Sequence, residues 1–504
     1  MSTAPKLQTA KEILMETPWM QDRRASTLIS SVLSFGLSFK ALEKELFTIA
    51  RNLCLEMLSQ LLEVVDNAIL YSAERTGWKV IEIRERTIET SLGVLTFSRR
   101  YYKKRTISGS YAYTFLLDEI LGLPQGNISP RVIEMSVSLA AEQTYRKAEE
   151  TLKATLGVDI SHETIRQAVQ IAGAHLKKWD EPTGLDNTGM REVPLLIIEA
   201  DGVILHQQRR GRKKKNTKKE RKFELKTAVI YEGWEKAPHG RAKLVNPTYF
   251  VHGGDGEQFW LALERHLSRT YNLNGCQRII IAGDGALWVR EGADLLEAEY
   301  QYCRFHLKRD LIKIFNRNSL KRKQVEKILK SGDGEAFNKL IDDLLQKEDD
   351  IAKKRELESF KNLTNNVWEG ITDWRERQKP VPAEARGLGV IEPGVGHTIS
   401  RRFKHQGAAW SIAGADNLAH VRCAKRNGNL FELLDLAAPP VSKNGLAVKK
   451  QLFNGYWARK GTDGLPKKDP AAWLRVTMPV ARGPEQVLRD FAHLIERITR
   501  DWLL

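Results

Sequence analysis

Three acidic residues stand where the chain could bring carboxylates together for metal chemistry. Asp201 follows the apolar run VPLLIIEA. Asp284 follows the apolar run RIIIA and is itself flanked by Gly283 and Gly285, and Glu392 lies in GLGVIEPGVGH. Carboxylates that lie close together raise each other's pKa unless a cation sits between them. Mg²⁺ or Mn²⁺ suits such oxygen ligands, and two ions about 3.5–4 Å apart can assist an in-line displacement at phosphorus. The three residues are therefore candidate ligands for two such ions.

The surrounding pattern predicts the elements that must position these residues. Apolar runs at 193–200, 226–233, 247–254 and 278–282 have the character of buried strands. Together with a fifth strand, AEYQYC at 298–303, and the helices between them, they give the order strand, strand, strand, helix, strand, helix, strand, helix. This is the order of a ribonuclease H-like α/β core, in which the first and fourth strands are neighbours. The order therefore predicts that Asp201 and Asp284 lie together.

The rest of the chain divides by composition. We expect an α/β ribonuclease H-like core interrupted by an all-helical insertion and preceded by an α+β DNA-binding region with a helix-turn-helix. The expected boundaries are an N-terminal helical region at 1–80, a DNA-binding region at 81–178, core at 193–306, the helical insertion at 307–385, core with Glu392 at 386–430, and a C-terminal extension at 431–504 without an assigned role.

Two segments of the N-terminal half have the residue types that contact DNA. TIETSLGVLTFSRRYYKKR predicts a hairpin that turns at Leu92-Gly93 and ends in a basic, aromatic strip. Cations there can contact phosphates, although a strand edge protected by charge is the competing interpretation. The strip supplies Arg99, Arg100, Lys103 and Lys104.

A helix-turn-helix is predicted next. Ser129 caps a helix with Pro130 at its first position, a further helix ends at Gly157, and Ser161 caps the one after it. Helical hairpins of this kind also occur in proteins that do not bind DNA. As a DNA reader, the last helix would present residues of its first turns to base edges, namely Ser161, His162, Thr164 and Arg166.

Charge supports a polyanionic partner. The 504 residues carry a formal net charge of +17, and ten of the fourteen residues at 209–222 are Lys or Arg. We expect this segment to contact the DNA backbone without sequence specificity, the alternative being a solvated loop. Its expected contacts are Arg209, Arg210, Arg212, Lys213, Lys214, Lys215, Lys218 and Lys219.

The spacing of the cysteines and the lack of long apolar runs predict a reducing, cytoplasmic compartment. Four widely spaced cysteines without a C-x-x-C pair argue against a disulfide framework. The first residues lack the apolar core of a signal peptide, and no run approaches the roughly 20 apolar residues that span a bilayer. We expect a cytoplasmic, nucleoid-associated protein without a membrane segment.

The motifs taken together resemble the ISLre-type insertion-sequence transposases, bacterial DDE enzymes related to the Mutator-like superfamily. The resemblance covers roughly residues 80–430 and depends on a set of short motifs. These are EADGV at Asp201, AVIYEGWE, Gly283-Asp284-Gly285 with Trp288, Cys303-x-x-His306, Glu392 with His397, Ser400-Arg401-Arg402, and W-S-x-x-G-A-D from Trp410 to Asp416.

The resemblance implies a function and a set of site residues. Asp201, Asp284 and Glu392 would be the catalytic triad, and double-stranded DNA, both element ends and target, would be the substrate of a homo-oligomeric enzyme. Independently of the resemblance, we expect Arg401, Arg402 and Lys404 to contact DNA, with Arg401 and Lys404 facing phosphate from the helix that follows Glu392. The residues expected to support the active site are Cys303, His306, His397 and Trp410.

Several alternatives stay open at the level of sequence. Pro393 directly follows Glu392, so Glu392 is expected just before its helix or at its cap, and Glu384 is the second candidate for the third ligand. Cys303 and His306 could be zinc ligands, but a structural zinc needs four, so a packing and orienting role is favoured. A tyrosine-type recombinase would use Arg401, Arg402, His405 and Arg422 with Tyr456. A non-catalytic DNA-binding protein is the third possibility.

Overall fold

The computed structural model describes residues 38–72, 75–179, 189–208, 222–236, 242–317, 319–377, 379, 381–382, 384–404 and 408–437. These residues form two compact units. The first contains the described residues up to 132 together with 152–159, and the second contains 133–151 and the described residues from 160 onward. Both helices and strands are present, so the protein belongs to the mixed α/β class. Within these ranges, helices with the length and apolar character needed for a bilayer span are absent.

The first unit is a three-stranded antiparallel sheet with helices against it. Its elements are α1 (Phe39–Leu70), β1 (Lys79–Thr90), β2 (Gly93–Arg105), β3 (Tyr111–Thr114) and α2 (Leu116–Leu121). The predicted hairpin is confirmed, because β1 and β2 pair up to Thr90 and Gly93, and Gly93 has φ +123°. Apolar side chains such as Ile69, Phe97 and Leu117 form its core.

Three helices follow in the chain: α3 (Pro130–Glu142), α4 (Tyr145–Leu156) and α5 (His162–Trp179). The expected caps are confirmed, since Ser129 Oγ accepts from the N–H of Val132 at 3.3 Å and Ser161 Oγ from the N–H of Thr164 at 3.1 Å. Gly157 follows α4 with φ +68°, a conformation that glycine adopts without strain. Local capping chemistry therefore sets these helix boundaries.

The second unit is built on a five-stranded mixed sheet. Its strands are β4 (Leu196–His206), β5 (Lys222–Tyr231), β8 (Thr248–His252), β9 (Ile279–Gly283) and β10 (Glu299–Tyr302). A separate two-stranded ribbon contains β6 (Trp234–Lys236) and β7 (Ala242–Leu244). The order across the sheet is β10-β9-β4-β5-β8, with β4 parallel to β9 and antiparallel to β5. The sheet therefore places the first strand beside the fourth strand of its chain order, as expected.

Helices cover this sheet and fill its core. α6 (Gly256–Ser268) and α7 (Leu287–Leu295) alternate with the last strands, in the expected order. Their apolar faces pack on alternate residues of β4 and β9, with Trp260, Phe259 and Ile281 almost fully buried. Because alternate residues of these strands point into this core, a shift of register by one residue would turn them away from it.

Residues 304–377 form the helical insertion. Its helices are α8 (Arg304–Phe315), α9 (Leu320–Ser331), α10 (Gly334–Gln346), α11 (Ile351–Asn366) and α12 (Trp374–Arg377). Strands are absent from the described part of this segment, as predicted, although the first helix begins at Arg304 rather than near residue 307. Phe337, Ile341 and Phe360 belong to a core of its own, so the insertion folds around side chains that it supplies.

The chain then returns to the sheet through short helical segments. These are α13 (Ile391–Val395), a π-helical turn at Gly396–Ser400, α14 (Arg401–Phe403), α15 (Ile412–Arg426) and α16 (Leu430–Ala437). α15 crosses α5 closely, since Gly173 of α5 lies directly against the backbone of Asn417 and a side chain there would clash. This return path brings residues after the insertion back to the sheet.

Candidate active site

Asp201 and Asp284 are placed by the parallel pairing of β4 and β9. Glu199 and Ala282 are register partners, and each aspartate lies two residues further along its strand direction. Asp284 directly follows Gly283, the last residue of β9, and its charge raises the pKa of Asp201. Backbone N–H groups hold both carboxylates locally, from Gly202 to Asp201 Oδ1 at 2.8 Å and from Ala286 to Asp284 Oδ1 at 3.1 Å. The structure thus brings the two aspartates together.

The charge around Asp201 places a third carboxylate beside the pair. Burial and the negative charges of Asp284, Glu392 and Glu224 together raise the pKa of Asp201 to about 7, against the opposing hydrogen bond from Gly202. An aspartate with this pKa is about half protonated at neutral pH without a cation. The carboxylates of the cluster therefore repel one another when ionised, and a bound divalent cation would offset this repulsion.

Glu392 reaches the cluster from the short helix α13. The helix begins at Ile391, so Glu392 lies within its first turn and neither precedes nor caps it, which corrects the sequence expectation. Pro393 is tolerated because its missing N–H falls in the first turn, where helix N–H groups have no intrahelical acceptor. Glu384, the second candidate, pairs instead with Lys236 at 2.9 Å. Of the two glutamates, Glu392 is the one whose charge acts on Asp201.

Cys303 and His306 lie against Glu392. Cys303 is the N-cap of α8, and its backbone N–H donates to the carbonyl of Gly283 at 2.8 Å, which fixes it next to the end of β9. His306 follows by one helical turn, and its Nδ1 lies 3.4 Å from Glu392 Oε1. Burial raises the pKa of the Cys303 thiol to about 11, against an opposing effect of the N–H groups of His306 and Phe305.

A buried glutamate that sequence reasoning missed anchors Glu392. Glu199 is fully buried, and it accepts hydrogen bonds from Tyr231 Oη at 2.6 Å and from the N–H groups of Gly389 and Ile391, both at 3.0 Å. The signal was present in the sequence, because a lone acid in the apolar run VPLLIIEA has to find partners inside the protein. Glu199 thus ties the strand that carries Asp201 to the segment that carries Glu392.

Trp410, expected to support the active site, and Arg402 both make contacts within the fold. Trp410 donates from Nε1 to the carbonyl of Phe403 at 3.0 Å, and its backbone bonds to His206 and Gln208 at the end of β4. Its ring also faces the guanidinium of Arg402. Arg402 lies between Trp410 and Tyr145, and burial lowers its pKa, so the expectation that it contacts DNA is corrected.

The neighbouring cations Arg401 and Lys404 differ from Arg402. Both are exposed at the surface of the second unit. They keep the phosphate-facing role as a prediction. The side chain of His397, the remaining supporting residue, lies outside the described part of the chain.

The basic strip of β2 is partly occupied by internal contacts. Arg99 pairs with Asp118 at 2.9 Å and covers the Phe115 ring, while Arg100 bonds to Asp66 and Asn67. These two guanidiniums hold the first unit together, which corrects the expectation that the whole strip faces DNA. Lys103 and Lys104 lie nearer the solvent, over the rings of Tyr111 and Trp78 respectively.

The start of α5 presents a polar face. Arg166 is exposed and pairs with Glu163 at 2.7 Å, and this contact lowers the pKa of Glu163 to about 2. His162 Nδ1 lies 2.9 Å from Glu149, and Thr164 bonds with Ser161 at the helix cap. Ile165 and Val169 on the opposite face are buried. One face of this helix therefore anchors it and the other is open to solvent.

Some expected residues fall outside the described ranges. These are the basic loop with its eight expected contacts (Arg209, Arg210, Arg212, Lys213, Lys214, Lys215, Lys218 and Lys219), and His405 and Tyr456 of the recombinase alternative. The third arginine of that alternative, Arg422, is buried and donates to the backbone carbonyls of Thr398 and Ala141.

Comparison with known proteins gives relatives along most of the chain. A UPF0236 protein of Caldanaerobacter subterraneus subsp. tengcongensis is 23% identical over 423 residues, which is 83% of this chain and 84% of the relative, and its name joins eleven locus designations. The UPF0236 protein in the vanSb 3′ region of Streptococcus gallolyticus is 26% identical over 416 residues, covering 81% and 87% respectively.

A solved structure and a family model complete the comparison. The Drosophila P element transposase strand transfer complex matches 71% of this chain and 90% of that chain at 10% identity, with a TM-score of 0.19, too low to establish a common fold. The family model described as Uncharacterised protein family (UPF0236) matches residues 32–436. The chain belongs to this uncharacterised family.

Proposed function

We propose that this chain is a DDE transposase of an insertion sequence, with Asp201, Asp284 and Glu392 as its catalytic carboxylates. The observation that carries the proposal is the convergence of the three acids: Asp201 lies within β4, Asp284 directly follows the end of the neighbouring β9, and Glu392 returns after the insertion. Their mutual charge and burial together raise the pKa of Asp201 to about 7. Such a cluster is costly for a fold that does not use it.

The sheet supports the same proposal. Strand order β10-β9-β4-β5-β8, with β5 antiparallel to its neighbours, favours a ribonuclease H-like core with the acids at its catalytic edge. The sequence resemblance to ISLre-type transposases favours the same residues. The eleven locus designations that one relative carries would also suit a gene that is copied within a genome.

The donor set fits hard divalent cations. Asp201, Asp284 and Glu392 would hold Mg²⁺ or Mn²⁺, because carboxylate oxygens are the preferred ligands of these ions. When bound, two such ions supply activation of the attacking oxygen and neutralisation of the leaving oxygen in phosphodiester displacement. The protein itself fixes the carboxylates through Gly202, Ala286 and the Glu199 bonds to the α13 segment.

Binding to double-stranded DNA would use surfaces away from these acids. The open face of α5 with Arg166 is proposed to read element ends, and Arg401, Lys404 and the basic loop are proposed to contact the backbone. In this proposal water cleaves at an element end and releases a 3′-hydroxyl, which then attacks target DNA. We propose that a homo-oligomer brings both ends together.

Cleavage of element ends tests the proposal directly. Full-length protein is incubated with duplexes from both ends of the DNA that surrounds its gene, with Mg²⁺, with Mn²⁺ or with a chelator. The proposal expects strand cleavage at the ends with either ion, none with the chelator, and none with Asp284→Asn although the DNA stays bound. Cleavage in the presence of chelator would instead favour a recombinase that needs no metal. DNA binding without cleavage under any of these conditions would favour a non-catalytic protein.

A further inference from the structure

A second group of potential metal ligands lies beside the three carboxylates. The Cys303 sulfur, a ring nitrogen of His306 and a carboxylate oxygen of Glu392 all lie within 4.8 Å of one another. Cys303 and His306 are buried, with 2% and 9% of their surface exposed. The sequence showed two of these residues as a C-x-x-H motif, and the fold supplies the third.

The polar atoms of this group are arranged as they would be around a cation. His306 Nδ1 and Glu392 Oε1 are buried, and neither has a hydrogen-bond partner among the described residues. They lie 3.4 Å apart. Ligand atoms on a tetrahedral ion lie roughly 3.3–3.8 Å apart, as bond lengths of about 2.0–2.3 Å require. Without an ion between them, two buried polar atoms that lack hydrogen-bond partners would destabilise the fold.

The backbone holds the group in place without the ion. Cys303 is fixed by its bond to Gly283, and the N–H of Leu307 donates to the Cys303 carbonyl at 3.0 Å, so α8 begins rigidly there. His306 lies three residues further on and therefore on the same face of α8. Glu392 is fixed separately by the two N–H bonds of its segment to Glu199. Only side-chain adjustment is needed to close three ligands on one ion.

The mixture of donors selects the class of ion. Cysteine thiolate is a soft ligand that favours Zn²⁺ and related transition ions, whereas Mg²⁺ prefers oxygen donors only. We propose that Cys303, His306 and Glu392 bind one thiophilic divalent ion of the Zn²⁺ class, with a fourth position left for solvent or another ligand. This site differs in its chemistry from the carboxylate cluster but shares Glu392 with it, and its test does not depend on the proposed transposase activity.

Cobalt absorption tests the site without any assay of activity. Metal-stripped, full-length protein is titrated with Co²⁺ under reducing conditions. We expect one equivalent to produce a near-ultraviolet thiolate-to-cobalt charge-transfer band together with visible bands of a four-coordinate ion. Zn²⁺ should abolish both, and an excess of Mg²⁺ should leave both unchanged. A wild-type protein without the charge-transfer band would overturn the proposal whatever its behaviour on DNA.

Matched variants assign the ligands. Cys303→Ser should lose the charge-transfer band, while Cys423→Ser, at another buried cysteine on α15, should retain it. His306→Gln and Glu392→Gln should each weaken Co²⁺ binding by more than about tenfold, the range seen when metal sites lose a supporting group. Retention of the full band in Cys303→Ser would show that a different thiol binds the ion. Circular dichroism identifies variants that do not fold. If Cys303→Ser does not fold, the wild-type titration by itself tests the proposal.

Discussion

Glu199 accepts a hydrogen bond at 3.0 Å from the backbone N–H of Ile391, the residue that precedes Glu392. Glu199 is also two residues before Asp201 on the same face of β4. One buried carboxylate therefore links the positions of two candidate ligands that come from distant parts of the chain. The relationship depends on hydrogen bonds rather than on packing, so substitution can test it cleanly.

Glu199→Ala should destabilise the protein by about 3 kcal/mol or more. It leaves the N–H groups of Gly389 and Ile391 and the Tyr231 hydroxyl without their acceptor, at about 1–3 kcal/mol for each buried group. Denaturant unfolding measures the loss. Glu199→Gln is the matched control, because its amide oxygen can still accept both N–H groups and its NH₂ can donate to Tyr231. Equal losses in the two variants would mean that the negative charge of Glu199, and not its capacity for hydrogen bonding, stabilises the protein here.

The pKa of Asp201 predicts how stability changes with pH in the absence of metal. Its pKa is about 7 in the fold, above the ordinary value of 3.8, so folding takes up a proton between these values. The stabilisation is complete below about pH 4 and is lost as the pH rises through 7. Between pH 5 and pH 8 the free energy of unfolding should fall by about 2–3 kcal/mol more in the wild type than in Asp201→Asn.

Added Mg²⁺ sharpens the same experiment. A cation between Asp201, Asp284 and Glu392 favours the ionised form of Asp201. Mg²⁺ should therefore shrink the difference in the free energy of unfolding between the wild type and Asp201→Asn at pH 8. At pH 5 the effect of Mg²⁺ should be smaller, because protons compete for the same oxygens. Chelator-treated protein at each pH provides the baseline. Parallel pH profiles for the wild type and the variant without metal would show that Asp201 does not titrate in this range.

The sheet and the two aspartates were accessible from sequence because buried strands have an obvious signature. The apolar runs before Asp201 and Asp284 predict both strands, but the expected end of the first strand at Asp201 is wrong, because β4 continues to His206. Cap residues were equally local, as Ser129 and Ser161 show. The prediction that two strands far apart in sequence lie side by side followed from the order of elements, and the pairing of β4 with β9 confirms it.

Partners across long sequence distances could not be predicted in the same way. Arg99 and Arg100 appeared free for DNA because Asp118 and Asp66, which bind them, lie on separate helices. The meeting of Glu392 with His306 requires the insertion between them to fold back, and no local pattern encodes that path. The position of Glu392 inside its helix was missed because Pro393 was taken to exclude it, although a first turn tolerates proline.

Arg166→Ala should reduce the preference for element ends over random duplex, because this side chain is exposed near the start of α5. Loss of one base contact costs about 1–3 kcal/mol, which corresponds to roughly five- to 150-fold in discrimination. Competition binding at fixed salt measures the ratio. Arg355→Ala, an exposed arginine on the insertion helix α11, is the control and should change nothing. Preserved discrimination in Arg166→Ala would leave α5 as a packing helix.

Replacing the lysines at 213, 214, 215, 218 and 219 by serine should weaken binding to every duplex. Contacts with phosphate release counterions, so affinity falls with salt, and removing them should flatten that dependence. Affinities for an element end and for random DNA are measured over a range of salt concentrations. A parallel loss on both is expected. A loss confined to the element end would assign base recognition to this loop rather than backbone contact.

The third carboxylate is tested by comparing Glu392→Gln with Glu384→Gln. Glu392 lies in the first turn of α13 and its charge raises the pKa of Asp201, whereas Glu384 pairs with Lys236. A neutral amide is a poor ligand for a hard dication, so Glu392→Gln should abolish Mg²⁺-dependent cleavage. Cleavage is measured at equal DNA occupancy, with unfolding curves to show that both variants fold. Glu384→Gln should keep activity within about twofold, because an exposed ion pair contributes little. An active Glu392→Gln beside an inactive Glu384→Gln would move the third ligand to Glu384 and leave Glu392 to the Cys303–His306 site alone.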